Sequence, residues 1–423
     1  MKKLIIIFAL QYTTIQLNNA QVDVPFCHLD LDFKEYIELV KVHNLEYAAE
    51  KLNINFSEAA IEAAKIFQDP SISVDLNENM ERRSRTGYGF SSELVKTIDL
   101  GGERKTKIDL TTSEKELSKA LLADYFRYLQ AEATLIYLEG MKQKQLFMVR
   151  YDSYQTMKKL HKADSIRFKL GSIMEIDAIQ SKLEAGTLLN ELNQSLAEWK
   201  NSLASIGLMT GSARKDTLYL PSSHLHNVTR DFMLESLIIT ALENRADLQA
   251  ALLNKDVAHK ALILTRKGRR GDIDLKIGYA NYFTSDGITP KTTGLTAGIG
   301  IPLKFSNLNK GEISMAEIRV QQADELHRHA ELLIRTEILQ AWELYQSYCK
   351  QVQNFNTGLL DNAESVRKGK IYSYQRGESS LLEVLNAQRT FNDVQTTYYE
   401  TLFNQSAALV ELEKATGIWD IDF

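Results

Sequence analysis

The chain has 423 residues, of which 44% are hydrophobic and 25% are charged, and its formal net charge is −5. The acidic balance argues against a nucleic-acid-binding protein, and two cysteines, Cys27 and Cys349, are too few for a disulfide framework. Beyond the N-terminus no apolar run is long enough for a membrane-spanning helix. Composition alone therefore permits a soluble helical protein.

Residues 1–20 have the pattern of a secretory signal peptide. Lys2 and Lys3 precede a short apolar run, 4–10, and the segment ends in a small residue. The run is too short to span a bilayer. Lipidation of Cys27 is a weaker alternative, because no small residues precede it. Removal of the signal would take both lysines with it and change the formal charge from −5 to −7.

Amphipathic helices are predicted for most of the remaining chain, because apolar residues recur at intervals of three and four. The predicted helices cover residues 33–67, 104–163, 173–209, 231–266, 312–370 and 379–416. At 1.5 Å per residue, the second of them would be roughly 90 Å long. Helices of that length do not fit inside a compact globule, so the pattern predicts a rod-like assembly or a long coiled coil.

Two segments alternate between apolar and polar residues, which is the period of a β-hairpin. The clearer hairpin covers 272–305, and the weaker one covers 71–100, where Ser92 and Lys96 interrupt the apolar face. Strands of this length can cross a membrane when tilted, although an ordinary half-buried hairpin has the same pattern. Aromatic residues of both hairpins are candidates for an interfacial girdle, namely Tyr88, Phe90, Tyr279, Tyr282 and Phe283.

The chain also contains an internal repeat. A segment that begins at Phe168 recurs from Tyr374, with an aromatic residue, a glycine and an acid at the same offsets. Gly171 and Gly377 suit a tight turn between two helices, where a positive φ favours glycine. Each half then contains a helix, a hairpin, a long helix, a glycine turn and a final helix. The predicted boundaries are 21–230 and 231–423 for the halves, and 168–175 and 374–380 for the turns.

Four segments resemble the TolC-like outer-membrane efflux family, in order and over essentially the whole mature chain. They are 100–105, 243–251, 301–311 and 374–389. The Leu-Gly-Gly motif that starts at Leu100, and the Pro-Leu pair at Pro302 with the Asn-rich stretch after it, look most like the cobalt–zinc–cadmium (CzcC-like) branch of that family.

The resemblance implies a fold that is mainly α with membrane β. Four strands per chain would contribute to a trimeric twelve-stranded β-barrel, which continues into a long α-helical periplasmic tunnel. A barrel built from several copies of the chain also agrees with elementary physics, because the four strands of one chain would leave unpaired backbone groups at their edges in lipid. Bacterial barrels have an even number of strands, and three copies leave room for a water-filled duct where two do not.

The resemblance also implies a function and partners. The chain would be the outer-membrane exit duct of a tripartite efflux pump, passing small molecules or heavy-metal cations from the periplasmic pump assembly to the exterior. It would be a homotrimer in outer-membrane lipid with a periplasmic extension, and would work with a periplasmic adaptor (membrane fusion) protein and an inner-membrane RND or ABC transporter. Neither nucleic acid nor a cofactor is expected.

Specific residues would lie at the periplasmic end of the tunnel. In the family, acids after the second turn form rings around the three-fold axis. Glu383 matches the first such position, whereas Asn386 occupies the second, so one charged ring is expected instead of two. A ring of carboxylates attracts cations and repels anions. Gly171 and Gly377 would lie at the turns where the adaptor docks.

The resemblance further assigns residues that hold the tip closed. Asp177 matches the family's acid after the first turn, and Tyr374 matches its aromatic partner. The family's arginine after the second glycine is replaced by Ser379, for which Arg376 is the nearest substitute in sequence. A looser latch than the family pattern is therefore expected.

No catalytic or metal site is predicted, so an enzyme is not expected. His327 and His329 are two residues apart on a helix and do not share a face, while His224 and His226 are more simply surface residues of a loop. Two other functions stay open. One is the outer-membrane duct of a type I polypeptide secretion system, and the other is a soluble periplasmic coiled-coil scaffold without a barrel.

Overall fold

A computed structural model describes this protein over most of its length. The described residues are 28–81, 84–212, 218–269, 271–282, 292–302 and 309–421. The predicted signal peptide, Cys27 and Phe283 lie outside these ranges, and Tyr88 and Tyr282 are described only in their backbone.

The helices and hairpins follow the same order in both halves of the chain. The first half contains β1 (His28–Leu31), α1 (Phe33–His43), α2 (Leu45–Lys65), β2 (Ser71–Glu81), β3 (Ser84–Ile98), α3 (Glu103–Lys169), α4 (Glu175–Met209) and β4 (Leu218–Pro221). The second half contains α5 (Leu234–Asn244), α6 (Ala246–Lys267), β5 (Ile273–Tyr282), β6 (Thr292–Gly300), α7 (Lys310–Asn354), a π-helical segment (Phe355–Leu359), α8 (Leu360–Gln375) and α9 (Leu381–Thr416). The 67 residues of α3 give it a length of roughly 100 Å.

Two of the predicted helices are each divided by one residue with extended backbone, which bonds to the end of a distant helix. Asn44 separates α1 from α2. Its side-chain oxygen accepts from the backbone N–H of Tyr47 at 2.9 Å, and its amide donates to the carbonyl of Met209 in α4 at 3.3 Å. Arg245 separates α5 from α6 and donates to the carbonyl of Ala415 in α9 at 3.0 Å. Helical periodicity cannot locate such breaks, because the partners are remote in sequence.

The long predicted helix 312–370 is divided at the π-helical segment. Gly358 there has φ 103°, a conformation that side chains other than glycine rarely adopt. Before the break, α7 packs in a large core at the middle of the molecule, around Tyr137, Trp199 and Tyr345. After it, α8 belongs to a smaller core near the ends of the helices. That second core contains Met157, Leu160, Ala185, Leu188, Tyr374, Leu381, Val384 and Leu385.

The two hairpins form one antiparallel sheet in the order β2-β3-β5-β6, so β3 and β5 join the halves. Directly opposed residues of such a sheet share a face. Leu94 faces both Ile72 and Ile277, and Ile277 also faces Ala297. The remaining apolar members of that face include Val74, Leu76, Phe90, Ile98, Ile273, Leu275, Tyr279, Leu295 and Ile299. The opposite face carries small or polar residues, including Ser73, Asp75, Glu93, Thr97, Asp274, Lys276, Gly278, Thr296, Gly298 and Gly300.

The apolar face of this sheet is open in the single chain. Leu76 is 80% exposed and Leu295 is 82% exposed. Ser92 and Lys96 lie on this face, as the alternation indicates, and the Lys96 ammonium reaches the carbonyl of Gln68 at 2.7 Å beside the sheet. Exposed apolar side chains at so many consecutive positions indicate a surface that another phase or molecule must cover.

A second, parallel sheet of β1 and β4 does not follow from the sequence pattern. Each strand has only four residues, too few to reveal a period. The hydroxyl of Tyr137 donates to the carbonyl of Leu31 at 2.9 Å and so connects this sheet to α3. Among the helices of the described ranges, none is both long and apolar enough to cross a bilayer.

Glu413 makes folding stability depend on pH. Its side chain is 5% exposed, and it meets the Arg230 guanidinium at 3.4 Å and the backbone N–H of Asp420 at 3.2 Å. Burial, together with the neighbouring Asp420 carboxyl, raises the pKa of Glu413 to about 8. The folded protein therefore keeps a proton that the unfolded chain loses, so this stabilisation is complete below about pH 4 and disappears as the pH rises through about 8.

Replacing Glu413 by glutamine should flatten that dependence, because glutamine imitates the protonated acid and does not ionise. We expect the melting temperature of wild type to fall between pH 5 and pH 8 by an amount corresponding to about 2–4 kcal/mol, and that of Glu413→Gln to fall much less. Thermal unfolding followed by circular dichroism measures both. Glu411→Gln, on the exposed side of the same helix, is the control. Equal slopes for Glu413→Gln and wild type would contradict the assignment.

Candidate functional site at the helical tip

The two glycine turns lie side by side at one end of the long helices. Gly171, between α3 and α4, has φ 73°, and Gly377, between α8 and α9, has φ 81°. In each turn the glycine N–H bonds to the carbonyl three residues back, and the next N–H bonds to the carbonyl five residues back. This is the Schellman pattern, which favours glycine at its left-handed position. Both turns line a concave site of about 470 Å³.

A triad of two buried side chains and one partly exposed side chain, which we call the tip latch, connects α3 to α8 beside this concave site. It consists of Asp164, Arg167 and Tyr374. The Tyr374 hydroxyl donates to Asp164 Oδ1 at 3.0 Å, and the Asp164 side chain is 0% exposed. The Arg167 guanidinium lies 5.0 Å from the centre of the Tyr374 ring and 3.8 Å from Asp164 Oδ1. It also donates to the Tyr374 carbonyl at 3.4 Å.

The electrostatics of the tip latch are dominated by burial. Burial raises the pKa of the Asp164 carboxyl, although the Tyr374 hydroxyl and the Arg167 charge act in the opposite direction. Burial and the Asp164 carboxylate together raise the pKa of Tyr374, so its hydroxyl stays protonated and able to donate. The latch is therefore a charge-assisted hydrogen bond in a poorly solvated site, the kind that is costly to break.

Asp177 and Arg376, which the family pattern associates with Tyr374, have other surroundings. Asp177 lines the concave site and its charge raises the pKa of both Asp164 and Tyr374, but the Tyr374 hydroxyl bonds to Asp164. The Arg376 guanidinium lies 4.7 Å from the ring of Tyr372. Asp164 was detectable in the sequence as an acid that continues the apolar positions of α3 near the turn.

Glu383 and Asn386 lie on the exposed face of α9, one turn apart. The Ser380 hydroxyl caps the helix by accepting from the Glu383 N–H at 3.3 Å. The carboxylate of Glu383 meets the Lys370 ammonium at 2.6 Å, from Nζ to Oε2. The hydrogen bond from Lys370, with the cap at Ser380, lowers the pKa of Glu383, so this acid is ionised at neutral pH.

A second connection holds α8 against its neighbours above the tip latch. The Arg367 guanidinium bonds to Asp152 of α3 at 3.1 Å and lies 4.0 Å from the centre of the Phe391 ring of α9. Arg367 is largely buried. α8 is thus fastened at two levels, through Arg367 and through Tyr374.

The histidine pairs offer no alternative site. The Nδ1 of His226 lies 3.0 Å from the carbonyl oxygen of His224, and His327 lies 3.6 Å from Glu331 on its own helix. Across the part of the chain that the structure describes, no group of three or more His, Cys, Asp or Glu side chains is arranged to hold a metal ion.

The chain is similar to known outer membrane efflux proteins. The model of the family described as outer membrane efflux protein matches residues 237–418. The cobalt-zinc-cadmium resistance protein CzcC of Cupriavidus metallidurans is 19% identical over 395 residues, which cover 92% of this chain and 90% of that protein.

Two solved structures extend the similarity over nearly the whole chain. CusC matches with a TM-score of 0.73 and 17% identity, covering 93% of this chain and 94% of that one. The CmeC outer membrane channel of Campylobacter jejuni matches with a TM-score of 0.75 and 15% identity, covering 91% of this chain and 85% of that one. The fold is therefore that of these channels. With CzcC and the family model, which matches residues 237–418, it confirms the resemblance to outer membrane efflux proteins seen in the sequence.

Proposed function

We propose that this protein is the outer-membrane exit duct of a tripartite efflux pump. One observation carries the proposal: a four-stranded sheet with an exposed apolar face and two free edges continues into helices up to roughly 100 Å long. The apolar face suits contact with lipid, while the polar face suits a water-filled lumen. The helices then extend from the sheet and place the tip latch far from the membrane. Transport, and not catalysis, is the activity proposed.

A homotrimer follows from the edges of the sheet. β2 and β6 are the outer strands, and in lipid their unpaired N–H and C=O groups would each cost several kcal/mol. Pairing β2 of one chain with β6 of the next satisfies both edges. Three chains supply twelve strands, which close around a duct wide enough for water and solutes. Each chain has two repeats, 21–230 and 231–423, so the trimer would place six similar units around its axis. The signal peptide, residues 1–20, would direct export of the chain.

The proposed cargo is small molecules or heavy-metal cations. CzcC is named for cobalt, zinc and cadmium resistance and is related to this chain over 92% of its length. The proposed partners are a periplasmic adaptor, which would dock at the turns of Gly171 and Gly377, and an inner-membrane RND or ABC transporter. The inner-membrane pump would select the cargo, and the duct would release it.

Deletion of the gene followed by sensitivity profiling tests this function. We expect growth to become more sensitive to zinc, cobalt, cadmium or copper, or to compounds of a dye panel, with rescue by the wild-type gene. The protein should be recovered from the detergent-extracted outer membrane as a heat-modifiable trimer. Recovery in the soluble periplasm would contradict the duct and favour a scaffold. Loss of a secreted polypeptide without any change in sensitivity would indicate a type I secretion duct instead.

A further inference from the structure

The two tip turns differ at one pair of equivalent positions. Counting from the turn glycine, one position lies seven residues before it and the other six residues after it. In the first turn these positions hold two acids, Asp164 and Asp177, whereas in the second they hold a cation and an acid, Lys370 and Glu383. Both turns have the same Schellman hydrogen bonds. The same backbone therefore carries two negative charges in one half and an ion pair in the other.

The ion pair of the second turn is held in place on both sides. The Lys370 ammonium meets Glu383 Oε2 at 2.6 Å. The Ser379 hydroxyl donates to the Lys370 carbonyl at 3.3 Å, and the Ser380 hydroxyl caps the backbone of Glu383. Both charged side chains remain nearly half exposed, so the pair faces solvent instead of the core. A solute at this surface would meet both charges together.

Two other cations near this face have partners of their own. Arg376 lies over the ring of Tyr372. Arg389, further along the exposed face of α9, bonds to Glu184 of α4 at 3.2 Å. Asn386, one turn after Glu383, is neutral. Lys370 is therefore the cation whose position allows its charge to compensate the charge of Glu383.

We propose that Lys370 determines the ion specificity of the duct entrance by neutralising Glu383. The inference rests on the proposed function, in which three copies of Glu383 surround the axis at the tip. With Lys370 paired to each of them, the ring has almost no net charge, and the entrance distinguishes weakly between cations and anions. An acidic ring without this lysine would carry three uncompensated negative charges and would prefer cations. The entrance then suits solutes of either sign, and charge selection is left to the inner-membrane pump.

Reversal potentials in planar lipid bilayers test the role of Lys370. The full-length trimer is measured in a KCl gradient as wild type, Lys370→Gln, Glu383→Gln and the double variant. A unit charge a few ångström from a passing ion in water changes its energy by about RT, which corresponds to about a threefold change in permeability. We expect Lys370→Gln to raise the cation-to-anion permeability ratio about threefold, and Glu383→Gln to lower it by a similar factor.

The double variant makes the test specific, because it removes both charges and should return to the wild-type ratio. Lys368→Gln, which removes an exposed lysine of the same helix paired with Glu364, is the matched control and should have the wild-type ratio. A charge exchange, Lys370→Glu with Glu383→Lys, provides a second pair if a single variant fails to form trimers. Migration of the unheated trimer on a gel identifies such a failure.

Different results would contradict the role of Lys370, the position of the ion pair in the conduction path and the proposed function. If Glu383→Gln changes the ratio while Lys370→Gln does not, Lys370 does not compensate the ring. If all variants match wild type, the pair lies outside the conduction path and the inference is wrong. If wild-type trimers form no channels at all, the proposed function itself fails, and the inference fails with it.

Discussion

Replacement of Arg245 by alanine is expected to lower the free energy of unfolding by about 3–5 kcal/mol, the usual cost of leaving buried charges unpaired. The Arg245 side chain is 0% exposed. It donates to both carboxylate oxygens of Asp247, at 2.9 and 2.6 Å, and to Glu337 of α7 at 2.6 Å. It also satisfies the carbonyl of Ala415 near the end of α9. One residue thus fixes three helices at the break between α5 and α6.

The pKa of the Asp247 carboxyl shows how strongly this acid depends on Arg245. Burial by itself raises the pKa of Asp247, but the hydrogen bonds and charge of Arg245, assisted by Arg127, hold it below the ordinary value. Without Arg245, burial would dominate and the ionised acid would be poorly compensated. Lysine at this position keeps the charge but not the planar fork that binds the carboxylate, so Arg245→Lys should recover only part of the stability.

Denaturant titration of the detergent-solubilised protein, followed by helical circular dichroism, measures this loss. Arg328→Ala is the matched control, because Arg328 pairs with Glu325 at 2.9 Å while both side chains are 72% exposed. Such a surface pair contributes only about 0–1 kcal/mol. If Arg245→Ala lost no more stability than Arg328→Ala, the network around Arg245 would not be the anchor described here.

If the protein is the proposed duct with a closed tip, the second large effect is expected at the tip latch, where Tyr374→Phe should open the tip. The variant keeps the ring but removes the hydroxyl that donates to Asp164, and it leaves a buried carboxyl oxygen without that donor. The cost of such a lost partner is about 1–3 kcal/mol. Each 1.4 kcal/mol corresponds to about a tenfold change in the ratio of closed to open states. Open probability in planar bilayers should therefore rise about five- to hundredfold.

Two further variants separate the candidate partners of Tyr374. Asp164→Ala should raise the open probability as Tyr374→Phe does, whereas Asp177→Asn should change it little, because the Tyr374 hydroxyl bonds to Asp164. Tyr372→Phe is the matched control, since Tyr372 lies on the same helix with an exposed ring. A large effect of Asp177→Asn together with none of Asp164→Ala would assign the latch to the family's usual acid.

The period of the apolar residues was sufficient to predict the long helices and the strands of the two hairpins. Both hairpins appear where the pattern alternates, and each long predicted helix is present with ends within a few residues of the prediction in most cases. Even Ser92 and Lys96, which interrupt the alternation, lie on the apolar face that the pattern assigns to them. Period is a local property of the chain, and it specifies which face of an element is apolar without reference to any other element.

The breaks within the predicted helices are determined by tertiary contacts and could not be predicted from the period of the apolar residues. Asn44 and Arg245 each end a helix by bonding to the end of another helix that lies some 170 residues away in the chain. Both of those helices end at a Thr-Gly pair, with Thr210 just after α4 and Thr416 as the last residue of α9. The choice of partner for Tyr374 also depends on packing, because sequence spacing places Asp177 at the turn while packing places the carboxyl of Asp164 against the hydroxyl.

The sequence by itself determined the resemblance to outer membrane efflux proteins, the duplicated order of elements and the positions of the two glycine turns, because each depends on residue types at fixed spacings. Tertiary structure alone decided that β3 pairs with β5, that Asp164 meets Tyr374, and that Lys370 forms an ion pair with Glu383. These pairings depend on the distance between side chains on different elements. That distance is set by how the helices and strands pack, and it is not encoded in the spacing of residues along the chain.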